Sequence, residues 1–103
     1  MAADAAASDD IVTQVIWRGV KAKILAGEGR CDQAQALARE AVALIEPTDL
    51  LSFHGDATLD LAEVLRACGR ADDAERALRA GLSLYERKGN TPGAARARSL
   101  LSN

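Results

Sequence analysis

The chain has 103 residues, of which 49% are hydrophobic, 27% are charged and only 3% are aromatic. Its 22 alanines and 13 leucines favour helices, and the scarcity of aromatic and β-branched residues excludes an all-β sandwich or barrel. A formal net charge of −2 provides no field to attract nucleic acid or an anionic membrane surface, so neither is expected as a partner. No apolar run reaches the roughly 20 residues that a bilayer span needs.

The alanine-rich, acidic start is interpreted as a disordered lead-in over residues 1–9. It contains no basic residue, which is wrong for a secretory signal peptide. Two cysteines in a chain without such a signal indicate reduced thiols and a cytoplasmic location. A single helical-repeat domain is predicted over 10–103.

The first unit of this domain covers 10–47. Apolar residues recur at helical spacing over about 10–28 and again over 31–46, which predicts two helices. Gly29 ends the first helix because glycine adopts the left-handed conformation easily, and Pro47 ends the second.

The second unit, 48–88, has the same organisation, with predicted helices over 50–68 and 71–88. A Gly-Asn pair stops the last of these. A terminal helix follows over 91–102, with Thr91 as its cap and a proline at its first helical position. Five helices joined by short turns therefore make two hairpins and one terminal helix, an all-α fold.

The two units are similar in sequence at an offset of 40 residues. The block Gly29-Arg30-x-Asp32-x-Ala34 recurs as Gly69-Arg70-x-Asp72-x-Ala74. A fixed period of this length indicates stacked supersecondary units that bury one continuous core.

These residues resemble the tetratricopeptide repeat, a helix–turn–helix of about 34 residues. Ala22-x2-Leu25 and Ala62-x2-Leu65 match its small-then-large pair, and Ala34 and Ala74 match the small position after the turn. The resemblance implies a right-handed array of helical hairpins with a C-terminal capping helix. The chain departs from the family in its 40-residue period and in having no large aromatic at the start of either unit.

Two longer runs of consecutive residues indicate a more specific group of proteins. Glu46-Pro47-Thr48-Asp49 and Leu84-Tyr85-Glu86-Arg87-Lys88-Gly89-Asn90 are similar to the C-terminal repeat region of large bacterial regulators that carry a cyclase domain and an ATPase module. This similarity implies a scaffold segment of a longer signalling protein, without the activities of those other domains.

Reactive side chains do not converge in the sequence. His54 is the only histidine, and together with Cys31 and Cys68 it makes too few ligands for zinc. Asp56 and its acidic neighbours on the same helix face are typical of a solvated surface, and no glycine-rich phosphate loop is present. We therefore expect no catalytic residue, no metal and no cofactor, and the chain is predicted not to be an enzyme.

Binding of a protein or peptide is the predicted function. By the resemblance, the first helix of each unit lines a concave groove, and the aspartates and glutamate of the second unit favour a basic or mixed ligand. Acidic residues stand where the carboxylate-binding members of the family have basic ones. The residues predicted on this face are Ile16, Gly19, Val20, Lys23, Asp56, Leu59, Asp60, Glu63 and Arg66.

Three further expectations concern the remaining residues. Trp17 and Phe53 are assigned to the core, with a binding anchor as the alternative for Trp17. Tyr85 is expected to pack its ring while its hydroxyl contacts solvent. The N-terminal end has no polar cap, so a homodimer or an upstream repeat is expected to cover it.

A helix-turn-helix that binds nucleic acid through a late basic cluster is the less favoured alternative function, because neighbouring acidic residues cancel the positive charge of that cluster. The cluster consists of Arg76, Arg79, Arg87 and Lys88.

Overall fold

A computed structural model of the chain describes the backbone of residues 2–102 and the side chains of residues 10–102. The described part is all-helical. Five helices follow one another as α1 (Ala2–Gly27), α2 (Cys31–Ile45), α3 (Leu51–Ala67), α4 (Ala71–Lys88) and α5 (Thr91–Ser102). The four later helices begin and end within two residues of their predicted bounds.

Helix α1 begins at Ala2, earlier than the predicted start near residue 10. Its helical backbone includes the residues that the sequence analysis assigned to a lead-in. The side chains of residues 1–9 lie outside the described part. A disordered lead-in over 1–9 therefore stays a prediction.

Glycines end three of the helices. Gly29, Gly69 and Gly89 have φ values of 80°, 79° and 79°, the left-handed region that glycine adopts without a steric penalty. After each of the first two, the chain reverses within three residues. The predicted Gly-Arg turns are thus confirmed as helix ends.

Consecutive helices pair in antiparallel hairpins. In the α3–α4 pair, Asn90 after the end of α4 donates to the Ser52 hydroxyl at the start of α3, at 3.1 Å, while Tyr85 donates to Asp56 one turn further along. In the α1–α2 pair, Arg18 Nε lies 2.5 Å from Glu40 Oε1. Helix α2 also packs against α3, so the two hairpins form one body.

Small side chains occupy the places where the helices meet. Ala22, Ala34, Ala62 and Ala74 are all buried, with exposed fractions between 0% and 2%. Alanine at a contact lets two helix backbones approach closely, which gives the high alanine content of the chain a structural role.

Tyr85 combines a buried ring with a bonded hydroxyl. The hydroxyl donates to the Asp56 carboxylate of the facing helix, so the expectation of a solvent-bound hydroxyl is wrong. Burial and the Asp56 charge both raise the pKa of Tyr85 well above its ordinary value of 10.0. Ring and hydroxyl together tie α4 to α3.

The two cysteines form a disulfide, which corrects the expectation of reduced thiols. Cys31 opens α2 and Cys68 follows α3, so each lies beside one of the two glycine turns. Stacking of the hairpins brings these turns together at one edge, and the two Cα atoms are 5.7 Å apart, within the range that a disulfide spans. Sequence spacing alone did not reveal this proximity.

Two aromatic residues lie outside the core, contrary to the prediction. The Trp17 side chain is 41% exposed and that of Phe53 is 38% exposed. The Trp17 indole N–H donates to the Gln14 side chain at 3.1 Å, and the Arg18 guanidinium carbon lies 4.4 Å from the ring centroid. Trp17 is therefore held against its own helix, with one face open.

Among the described residues, no helix is both long enough and apolar enough to cross a membrane.

Candidate functional site

Helices α1, α3 and α5 lie side by side and run in the same direction. Lys23 of α1 contacts Asp60 and Glu63 of α3, and Glu63 in turn contacts Arg96 of α5. Arg66, one turn after Glu63, donates to the carbonyl oxygen of Leu100, one turn after Arg96. Gly19, one turn before Lys23, lies against Asp60, one turn before Glu63. The contacts therefore advance in the same direction along each pair of helices, so the three helices are parallel, and their common surface is named here the α1–α3–α5 face.

A row of alternating charges crosses this face. The Lys23 Nζ is 3.0 Å from Asp60 Oδ1 and 3.8 Å from Glu63 Oε2, and Arg96 Nη2 is 3.3 Å from Glu63 Oε1. The acidic residues that were predicted to attract a basic ligand are thus compensated within the chain. A ligand of mixed charge suits this row better than a purely basic one.

Asp60 is the most enclosed charge of the row. Its side chain is 21% exposed and lies over Gly19 of α1, where a Cβ atom would collide with the carboxylate. Burial raises the pKa of Asp60 above its ordinary value of 3.8; the hydrogen bond and charge of Lys23 lower it, and Glu63 raises it. Glycine at position 19 is therefore what lets the carboxylate sit between the two helices.

Two clefts flank the centre of the face. One, of about 290 Å³, lies between α3 and α5 above Leu78 of α4. The other, of about 180 Å³, lies between α1 and α3 beside Ala26. Glu63 and Ala67 line both clefts and form the ridge between them. Both clefts are open to solvent and lined mainly by apolar atoms, which suits the apolar side chains of a ligand.

The structure brings together only part of the predicted site. Lys23, Asp60, Glu63 and Arg66 lie on the α1–α3–α5 face as predicted. Gly19 is buried beneath Asp60 and serves as a spacer.

The remaining predicted residues lie elsewhere. Leu59 is fully buried against Gly81 of α4 and cannot contact a partner, which corrects its assignment. Asp56 accepts the Tyr85 hydroxyl. Ile16 and Val20 are 51% and 49% exposed, on the outer face of α1.

Helix α5 contributes residues that the sequence did not assign to the site. Arg96 and Leu100 meet α3 at offsets of 33 and 34 residues, whereas Lys23 meets Asp60 and Glu63 at offsets of 37 and 40. Helix α4 is longer than α2 and the turn after it is shorter, so α5 still begins 40 residues after α3, at Thr91 against Leu51, and only the contacts have the smaller offset. The 40-residue spacing between the starts of α3 and α5 was the signal that could have placed α5 beside α3.

The other candidates for chemistry are separated from one another. His54 lies near the start of α3 and Cys68 just after its end, about 20 Å apart along the helix axis. Burial lowers the pKa of His54, Glu46 raises it and Arg87 lowers it. Of the late basic cluster, Arg76 pairs with Asp73 and Arg79 with Glu75, so part of its charge is neutralised.

No protein-family model, curated protein or solved structure matches this chain.

Proposed function

We propose that the chain is a non-catalytic module for protein–protein interaction, which binds a peptide segment of a partner on the α1–α3–α5 face. The observation that carries this proposal is the pair of clefts on either side of the Glu63–Ala67 ridge, crossed by a row of charged groups. Apolar side chains of a peptide would enter the clefts, and its polar groups would meet the row.

The bound segment is an amphipathic peptide of mixed charge. Lys23 and Arg96 present basic groups at the two sides of the row, and Asp60 and Glu63 present acidic groups at its centre. A ligand with apolar side chains spaced to straddle the ridge, and with both charge signs, makes the most contacts here. Such electrostatic complementarity contributes specificity more than affinity.

We further propose a tetratricopeptide-like array for the fold, within a larger bacterial signalling regulator. The parallel course of α1, α3 and α5, and the packing of α2 on both α1 and α3, support the array. The proposal of a larger regulator depends on the resemblance of residues 46–49 and 84–90 to the repeat region of such proteins.

A cytoplasmic location stays a proposal, and the Cys31–Cys68 disulfide is the observation that bears on it. Disulfides persist in oxidising compartments and are rare in the cytosol. Alkylation of free thiols in acid-quenched cells decides the question: labelled Cys31 and Cys68 support the cytoplasm, and unlabelled cysteines contradict it.

Selection of displayed random peptides against the whole chain tests the binding face. Ala67 is exposed on the ridge, so Ala67→Arg should fill the mouths of both clefts without disturbing the core. The matched control is Ala80→Arg on the exposed side of α4. We expect selected peptides to bind the wild type and the Ala80 variant alike, and to bind the Ala67 variant at least tenfold more weakly, or about 1.4 kcal/mol.

Two results would contradict the proposal. One is a set of selected peptides that bind the Ala67 variant as tightly as the control; the other is a selection that yields no binding peptide. Chemical shift changes in an NMR titration should concentrate on Ala62, Ala67, Leu78 and Leu100 if the clefts are the site.

A further inference from the structure

The outer face of α1 is rich in large apolar side chains that are exposed. Four of the five large apolar side chains that are exposed there belong to it: Ile16, Trp17, Val20 and Ile24, with exposed fractions of 51%, 41%, 49% and 56%. Residues four apart lie on one side of a helix, so Ile16, Val20 and Ile24 form a continuous stripe. Contiguous apolar patches of this kind mark interaction sites.

In α3, residues at the positions corresponding to the outer face of α1 pack against a neighbouring hairpin. At the offset of 40 residues, Trp17 and Ile24 correspond to Ala57 and Val64, which are 2% and 0% exposed. The preceding hairpin covers them, since Ala57 packs with Val15, Ala41 and Ile45. Trp17 and Ile24 thus stand at positions that the preceding hairpin covers in α3, and Val20 corresponds to Asp60, which lies against Gly19 of that hairpin; Ile16 corresponds to Asp56.

The other end of the array does not offer a matching surface. Helix α5 packs against α4 and presents its outer side to solvent through Ala95, Arg98, Ser99 and Ser102. Arg98 is paired with Glu86 at 2.6 Å. Stacking one chain head to tail on another would place the apolar stripe against this polar side, and burying polar groups without partners costs free energy.

The stripe is instead complementary to itself. Val20 lies midway between Ile16 and Ile24, so two α1 helices packed antiparallel about a twofold axis at Val20 place Ile16 of each near Ile24 of the other. A twofold interface of this kind uses one patch twice and closes at two chains. The basic residues beside the stripe, Arg18 and Lys23, are already paired with Glu40 and Asp60 within their own chain.

We infer that the α1 stripe binds the α1 stripe of a second copy of this chain, forming a closed antiparallel dimer centred on Val20. This interface is separate from the α1–α3–α5 face, so each dimer presents two peptide-binding faces. Each of them has its own pair of clefts.

Sedimentation equilibrium of the whole chain, from micromolar to millimolar concentration, tests the dimer. We expect a mass that approaches twice the 10.8 kDa of one chain and does not exceed it. Val20→Glu should raise the dimer dissociation constant on the order of a hundredfold, because two like charges then face each other at the axis. Ala80→Glu, on the exposed side of α4, is the matched control and should leave the dimer intact.

Cross-linking distinguishes this arrangement from other dimers. Both native cysteines are in the disulfide, so Val20→Cys introduces the single free thiol of the chain. Under mild oxidation it should form a covalent dimer much faster than Ala80→Cys does, since only position 20 meets its own copy.

The inference is overturned by any of three results. These are a single-chain mass throughout the concentration range, masses that continue to grow beyond two chains, and equal cross-linking of the two cysteine variants. Because Val20 is half exposed, its variants should keep the helical circular dichroism of the wild type, and a dimer that survives Val20→Glu in a folded protein also contradicts the inference.

Discussion

The ring of Tyr85 in α4 lies directly against the backbone of Gly55 in α3. A Cβ atom at position 55 would lie 2.7 Å from Cε1 of the ring, closer than carbon atoms pack in proteins. The hydroxyl of the same ring donates to Asp56, so one side chain provides both packing and a hydrogen bond between the helices. This contact makes the α3–α4 hairpin sensitive to changes of a single methyl group.

Gly55→Ala is expected to destabilise the protein by about 1–3 kcal/mol, because the added methyl group must displace the buried ring. Urea denaturation measures the free energy of unfolding. The control is Gly27→Ala at the end of α1, where a Cβ atom meets nothing within 4 Å. There alanine should stabilise by up to about 1 kcal/mol, since glycine is the poorer helix former. Equal effects of the two substitutions would contradict the packing at Gly55.

Tyr85→Phe is expected to lower the free energy of unfolding by about 1–2 kcal/mol, because it removes the hydrogen bond to Asp56 and keeps the ring. A double-mutant cycle with Asp56→Ala isolates the pair. In the Asp56→Ala background, Tyr85→Phe should cost much less than in the wild type. Additive effects would show that the hydroxyl does not depend on Asp56.

Reduction of the Cys31–Cys68 disulfide is expected to lower the free energy of unfolding by about 4 kcal/mol. The bond joins residues 37 apart in sequence, and closing such a loop restricts the unfolded chain. Urea denaturation with and without dithiothreitol measures the change. The variant Cys31→Ala/Cys68→Ala should have the free energy of unfolding of the reduced protein, and dithiothreitol should not change it. Identical denaturation curves for the oxidised and reduced wild type would refute the expectation.

Asp60 is expected to titrate above its ordinary pKa of 3.8 in the folded protein, because burial disfavours its charge. Between the unfolded and the folded pKa, the folded chain holds more protons, so this residue makes stability fall as pH rises through that interval. Carbon-13 NMR of the carboxyl groups measures the titration.

Lys23→Met should raise the pKa of Asp60 further, since it removes both the hydrogen bond and the charge that lower it. Lys21→Met changes an exposed lysine of the same helix and should leave the pKa of Asp60 unchanged. An Asp60 that titrates at or below 3.8, or that ignores the loss of Lys23, contradicts this account of the site.

Part of the candidate site could be predicted from the sequence because the repeat places corresponding helices in register. Lys23, Asp60 and Glu63 were assigned to one face by the family resemblance together with the 40-residue alignment, and they meet there. Leu59 was assigned to the same face, but the periodicity of α3 does not say which neighbouring helix covers each side. Gly81 of α4 provides the space that Leu59 fills, and nothing near Leu59 in sequence signals it.

The sequence by itself determined that this chain is helical and where most of its helices begin and end. Those properties depend on local forces: the propensities of alanine and leucine, apolar spacing within one helix, and the freedom of glycine at positive φ. The tertiary structure alone decided that Cys31 meets Cys68, that Trp17 stays exposed and that Arg96 completes the charge row. These depend on how one helix is placed against another, which side-chain periodicity along a single helix does not specify.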